Sequence, residues 1–262
     1  MKIPGYAVAA ALAGFLLANP NETRIVQSYI PSTGTKESEH LEDLLRPFAK
    51  VDIHRPHGEG ALYLIGQRHP PANLEETGPR FLPDPRVPIV QAQIYHILLR
   101  LKPNVILGEG FKEGEFHYPI EERALSQEEY YSLQKKFDSD IFTLVEFFTH
   151  NYKETAYTMY EAMHPTTRSF GVTQRDFQKW LAVAKEKKRL KEQGVDLTEI
   201  QKKYEQMNDE LSRLFMNEAE QITDNLEEKN VAVVIGGAHV PLIIKEYKGK
   251  RKLYEIKPNA LD

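Results

Sequence analysis

The chain has 262 residues, 41% of them hydrophobic and 27% charged, with a formal net charge of −4 and a pI near 6.2. That length supports one large α/β domain with a substantial core, and the mildly acidic balance argues against a nucleic-acid surface, which needs clustered cations. No cysteine is present, so disulfides, thiolate metal sites and cysteine nucleophiles are excluded.

In chain order, Lys2 precedes an apolar run from Ile3 to Ala18, which ends at Asn19-Pro20-Asn21-Glu22. Residues 1–20 therefore read as an export leader or a short membrane anchor, since the run falls short of the ~20 apolar residues of a spanning helix. The expectation is an exported or cell-envelope protein, with membrane association through this segment. A buried or amphipathic N-terminal helix would make it cytoplasmic instead. Residues 21–58 read as a lead-in linker with one helix, carrying Leu41, Leu44, Leu45 and Phe48 at helical spacing. The domain proper is placed at 59–262.

Ala61-Leu62-Tyr63-Leu64-Ile65 reads as a buried strand, and Gly66-Gln67-Arg68-His69 follows it at once. A proline-rich stretch, 70–88, reads as one wall of a cleft. Ile89, Gln93, Ile94, Ile97, Leu98 and Leu101 then give an amphipathic helix, stopped by Lys102-Pro103-Asn104. Val105-Ile106-Leu107 is the second strand and runs into Gly108-Glu109-Gly110. Residues 121–164 are helix-rich, with a capping box at Ser126-Gln127-Glu128-Glu129 and an apolar stripe from Ile141 to Met163 that reads as core. A third strand, 168–172, ends in Thr173-Gln174-Arg175-Asp176. A helical hairpin follows, broken at Gly194, its second helix carrying Leu197, Ile200, Tyr204, Met207, Leu211 and Leu214. Val231-Ala232-Val233-Val234-Ile235 leads into the second signature, Gly236-Gly237-Ala238-His239, then a short helix from Pro241 and a last edge strand over 253–256. The fold class is α/β: a small, mainly parallel central sheet flanked by helices, with a large helical insert and a helical hairpin.

His69 and His239 stand 239 − 69 = 170 positions apart, yet each follows a strand within a glycine-led tetrapeptide. In one parallel sheet both emerge at the carboxyl edge, where α/β folds place their ligands. Glu109, directly after its strand, reaches the same edge. Two imidazoles and a carboxylate make a hydrolytic metal set; without a metal they can activate water by acid–base chemistry. Arg175 at the third strand's end suits a substrate carboxylate or an oxyanion, with a structural ion pair as the equal alternative; Arg68 is a similar even case. His54, His57, His96, His117, His150 and His164 read mostly as surface or satisfied histidines, with His117 and His164 the alternative loop contributors to the site.

The succession strand–GQRH, KPNVILGEG, FGVTQRD and VAVVIGGAHVPLI resembles the TraB/TIKI family, within the wider GxxH-motif group that includes ChaN-like proteins and erythromycin esterases. The likeness covers about residues 60–256. It implies catalytic or metal-ligating roles for His69, Glu109 and His239, and a catalytic role for Arg175, which resembles the family's arginine after the third strand. The TIKI branch implies a divalent-metal-dependent protease, manganese or cobalt rather than zinc. The esterase branch implies metal-free hydrolysis, and the ChaN-like branch haem binding. Gln67 stands where the latter two usually carry glutamate. Met216 precedes Asn217 where the family often has arginine, the nearest being Arg213. The favoured expectation is hydrolysis of a peptide or amide. The alternatives are a non-enzymatic cell-envelope haem- or ligand-binding protein, its pocket drawn from Phe147, Phe148, Tyr152, Tyr157 and Tyr160, and a membrane-associated regulator that binds peptides without cutting them.

Overall fold

The two runs that precede the glycine–histidine signatures are neighbours at the centre of one sheet. The computed structural model describes residues 34–68, 84–109, 114–115, 124–151, 154–172 and 177–261. Along the chain these form α1 (Gly34–Leu45), β1 (Ala49–Arg55), β2 (Ala61–Gln67), α2 (Arg86–Leu101), β3 (Val105–Glu109), β4 (Gly114–Glu115), α3 (Gln127–Ser139), α4 (Ile141–His150), α5 (Ala156–Met163), β5 (Arg168–Val172), α6 (Phe177–Glu192), α7 (Thr198–Asp224), β6 (Asn230–Gly236), α8 (Val240–Glu246) and β7 (Lys252–Pro258). The seven strands lie in the order β1-β7-β2-β6-β3-β5-β4. Neighbours among β7, β2, β6, β3 and β5 run parallel, while β1 and β4 close the edges antiparallel. The chain is an α/β protein of the expected class.

Both faces of the sheet are covered, which is why β2 and β6 read as continuous apolar runs rather than alternating ones. On one face Tyr63, Ile65, Ile106, Val234 and Tyr254 join the cores of α2, α4 and α5. On the other, Leu62, Leu64, Leu107, Val233 and Ile235 meet Phe215, Met216 and Ala219 of α7 and Val240 and Ile243 of α8. Helix α2 is buried on most of its circumference, including Gln91, Gln93 and His96. It is a central helix, wrapped by α4 and α5, rather than a surface amphipathic one. Its end follows the expected stop, with Lys102 left-handed at φ 47°.

Two expectations need correction. The reading of 21–58 as a lead-in with one helix misses β1, which pairs along β7 from Ala49↔Pro258 to Arg55↔Leu253. For the same reason the last strand is not an edge: β7 lies between β1 and β2. The expected capping box is present, Ser126 and Glu129 bonding each other's backbone N–H. The helical stripe that follows is divided in two, because Asp140 caps the start of α4 and Thr155 that of α5. The hairpin α6–α7 packs Trp180 against Tyr204 at 5.6 Å, and Gly194 turns it at φ +68°. Arg251, buried, donates to the carbonyls of Thr223 at 2.7 Å and Leu226 at 3.1 Å. This ties the end of α7 to the sheet and fixes the helix that supplies part of the site.

Candidate functional site

The parallel ladder lays the two signatures side by side. Gln67 opposes Gly236 in the β2–β6 register, and the Gly237 N–H donates to the Gln67 carbonyl at 2.9 Å. On the other side of β6, Gly108 opposes Val234, so Glu109 stands one residue further toward the carboxyl edge. The edge at which β6 turns into α8 is therefore also the edge that receives Glu109.

There Glu109 and His239 meet. One carboxylate oxygen, Oε2, accepts the Gly236 N–H at 2.7 Å. The other, Oε1, lies 3.5 Å from His239 Nε2, and the two side chains are 9% and 12% exposed. His239 is the N-cap residue of α8, and its backbone N–H donates to the Gly236 carbonyl at 2.9 Å. A tight turn thus holds it over the end of its own strand. Its second ring nitrogen, Nδ1, is 2.7 Å from Ser212 Oγ on α7. The Glu109 backbone is fixed as well: the Tyr157 hydroxyl donates to its carbonyl at 3.0 Å. Gly108 makes room for that ring, since a Cβ there would lie 2.6 Å from Tyr157 Cε2.

The gap between Nε2 and Oε1 exceeds an ordinary hydrogen bond. An imidazole lone pair facing a carboxylate calls for positive charge between them, a proton or a cation. Two ligand atoms each about 2.1 Å from a shared cation stand roughly 3–4 Å apart, and 3.5 Å fits that span. The nitrogen–oxygen donor pair suits a borderline or hard divalent ion. Both side chains are also anchored through their outer polar atoms, as ligands of metal sites generally are. Among the described residues no group of three or more metal-type side chains gathers.

Of the four residues singled out by sequence, Glu109 and His239 come together, while His69 and Arg175 lie outside the described residues. Arg68 is a brace: Nη1 is 3.0 Å from Asp84 Oδ2, and Nε donates to the Leu261 carbonyl at 3.0 Å. Arg213 bonds Glu246 at 3.0 Å on the protein surface, and Met216 is buried in the core. Neither supplies a cation to Glu109. His54 pairs with Glu255 at 2.8 Å, His150 bonds the Glu146 carbonyl, and His164 stacks on Tyr160. His117 lies outside the described residues. The aromatic stripe is core: Phe148, Tyr157 and Tyr160 are buried, and Phe147 packs edge-on against Phe137 at 5.3 Å. Tyr152 lies outside the described residues.

Sequence reasoning missed Ser212. Its signal was available: a serine on the apolar stripe of α7, beside Leu211 and one turn before Phe215 and Met216. Polar groups buried on such a stripe need partners, and here they are the Asn208 carbonyl of the same helix and the histidine of the second signature.

Fold and site define a mainly parallel α/β protein with an imidazole–carboxylate pair at the carboxyl edge of its sheet. Comparison with protein families, with curated proteins and with solved structures returns no match. Among the described residues no helix is long and apolar enough to cross a membrane.

Proposed function

We propose that the protein is a hydrolase of peptide or amide bonds, of the kind the TraB/TIKI resemblance implies, dependent on a divalent cation such as manganese or cobalt. The observation that carries this reading is the approach of His239 Nε2 to Glu109 Oε1 at 3.5 Å, each side chain held by its other polar atom. The residues' work is to bind and to orient. Oε1 and Nε2 converge on one point, the Gly236 N–H fixes the carboxylate, and the low exposure of both groups strengthens their electrostatics. By sequence position His69 supplies a second imidazole, and Arg175 holds the substrate or its oxyanion. A divalent cation bound there would polarise the scissile carbonyl and make water more acidic.

Without a cation the same pair supports the metal-free reading. His239 Nε2 takes a proton from water as the water oxygen attacks the carbonyl carbon, and Glu109 stabilises the imidazolium so formed. The proton then passes to the leaving nitrogen as the C–N bond breaks, giving an acid and an amine. The haem- or ligand-binding alternative draws no support from Phe148, Tyr157 and Tyr160, which pack into the core.

The test is cleavage of a peptide library by the full chain. Cleavage that requires added manganese and is lost in Glu109→Ala is the expected result. Manganese-independent cleavage lost in the same variant favours the metal-free version. A Soret shift on haem titration, lost in His69→Ala and unaccompanied by cleavage, favours the binding protein.

A further inference from the structure

Ser212 has one hydroxyl proton and two neighbours at the same distance. Its Oγ lies 2.7 Å from the Asn208 carbonyl, to which it donates along α7, and 2.7 Å from His239 Nδ1. The proton can serve only one of them. If it points to Nδ1, Oγ and the Asn208 oxygen are left as two acceptors in close contact inside the core, where Ser212 is 1% exposed. The Asn208 oxygen keeps its helix N–H in either case, but two oxygens held 2.7 Å apart with no proton between them repel. If it points to the carbonyl, the chain runs in one direction, Nδ1–H to Oγ–H to O=C, and each bond polarises the next. Back-bonding of a serine to the carbonyl four residues earlier is an ordinary habit of helices.

We propose that Ser212 is a positioning residue that fixes the tautomer of His239, holding the proton on Nδ1 and leaving the Nε2 lone pair turned toward Glu109. The inference rests on the proposed site, because that lone pair is what a cation or a water proton needs. It adds a regulator of the site's chemistry on a separate element, 27 residues before the histidine and withdrawn from solvent. Ser212 is not a nucleophile in this account: buried and donating to a backbone carbonyl, it touches no substrate and acts through the imidazole.

The experiment uses the full chain labelled with 15N-histidine. Long-range proton–nitrogen spectra are recorded where the ring is neutral, and His239 is assigned by its loss in His239→Gln. The wild type is expected to show a protonated Nδ1 and a bare Nε2, with a water proton between that lone pair and Glu109 when no cation is bound. Ser212→Ala should move the proton to Nε2, where Glu109 accepts it. Ser212→Thr, whose hydroxyl can make the same bond to the helix carbonyl, should restore the wild-type pattern. A wild type protonated on Nε2, or Ser212→Ala with an unchanged tautomer, overturns the inference. A second readout is manganese-dependent cleavage: kcat should fall about 10–100-fold in Ser212→Ala with KM held, the usual scale for a residue that orients a ligand, and should recover in Ser212→Thr. An equal loss in both variants would mean a structural role and overturn it. The nitrogen spectra require no hydrolysis, so the Nδ1–H tautomer in a protein that cleaves nothing would support the positioning role while defeating the hydrolase reading.

Discussion

His239 and His96 are both withdrawn from solvent, but one sits between polar side chains and the other between rings. His239 has Ser212 at one nitrogen and Glu109 near the other. His96, 3% exposed on α2, stacks on Phe48 at 4.9 Å, meets Tyr95 edge-on, and among the described residues has no hydrogen-bond partner at either nitrogen. Burial, reinforced by the nearby Arg100 and partly opposed by Asp140, pushes the His96 imidazole down to about 4. Burial alone makes a neutral core ring. A chemically useful imidazole also needs an oriented proton on one nitrogen and an acidic neighbour at the other. His239 has a hydroxyl on α7 at one nitrogen and a carboxylate at the sheet edge near the other.

Four experiments sharpen or break this contrast. The largest expected effect is on activity: His239→Ala and Glu109→Gln should each lower kcat/KM for peptide cleavage by about 10²–10⁴-fold, while His96→Leu leaves it within about twofold. Equal losses in all three would erase the distinction.

The second is a pH effect that belongs to His96. Its folded value lies below the unfolded 6.5, so between pH 6.5 and 4 the unfolded chain binds a proton that the folded chain refuses. The contribution is fully present above pH 6.5 and is lost on acidification, reaching about 3 kcal/mol near pH 4. Urea unfolding of His96→Leu from pH 7 to 4 should show a flatter slope than the wild type by that amount.

The third joins core to site. Gly108→Ala places a Cβ against the buried Tyr157 ring. It should cost about 1–3 kcal/mol in chemical denaturation and also lower cleavage, because Tyr157 holds the Glu109 carbonyl. The smallest effect is expected at Arg68, whose side chain is 31% exposed in its pair with Asp84. Arg68→Ala should change stability by no more than about 1 kcal/mol.

The central strands were legible because β2, β3 and β6 are apolar runs that stop abruptly at glycine, and because parallel pairing forces their ends to one edge. That is enough to bring Glu109 to His239. Edge strand β1 was missed although Ala49, Val51 and Ile53 alternate with Lys50, Asp52 and His54. The helical spacing of Leu41 to Phe48 and the following Pro56 drew the reading elsewhere. Ser212 could not be paired with its histidine from sequence, since only the packing of α7 against α8 and the sheet sets that distance. The same holds for His96: its sequence shows a histidine on a helix, while its character comes from Phe48, on the segment leading into β1.

The most direct test of the account is manganese binding measured by calorimetry on the wild type, Glu109→Gln, His239→Ala and the double variant. The account predicts one site in the wild type, at least about tenfold weaker in either single variant, with the double variant no worse than the weaker single, as expected for two ligands of one ion. An absence of binding in the wild type, or affinity that survives both substitutions, would contradict it.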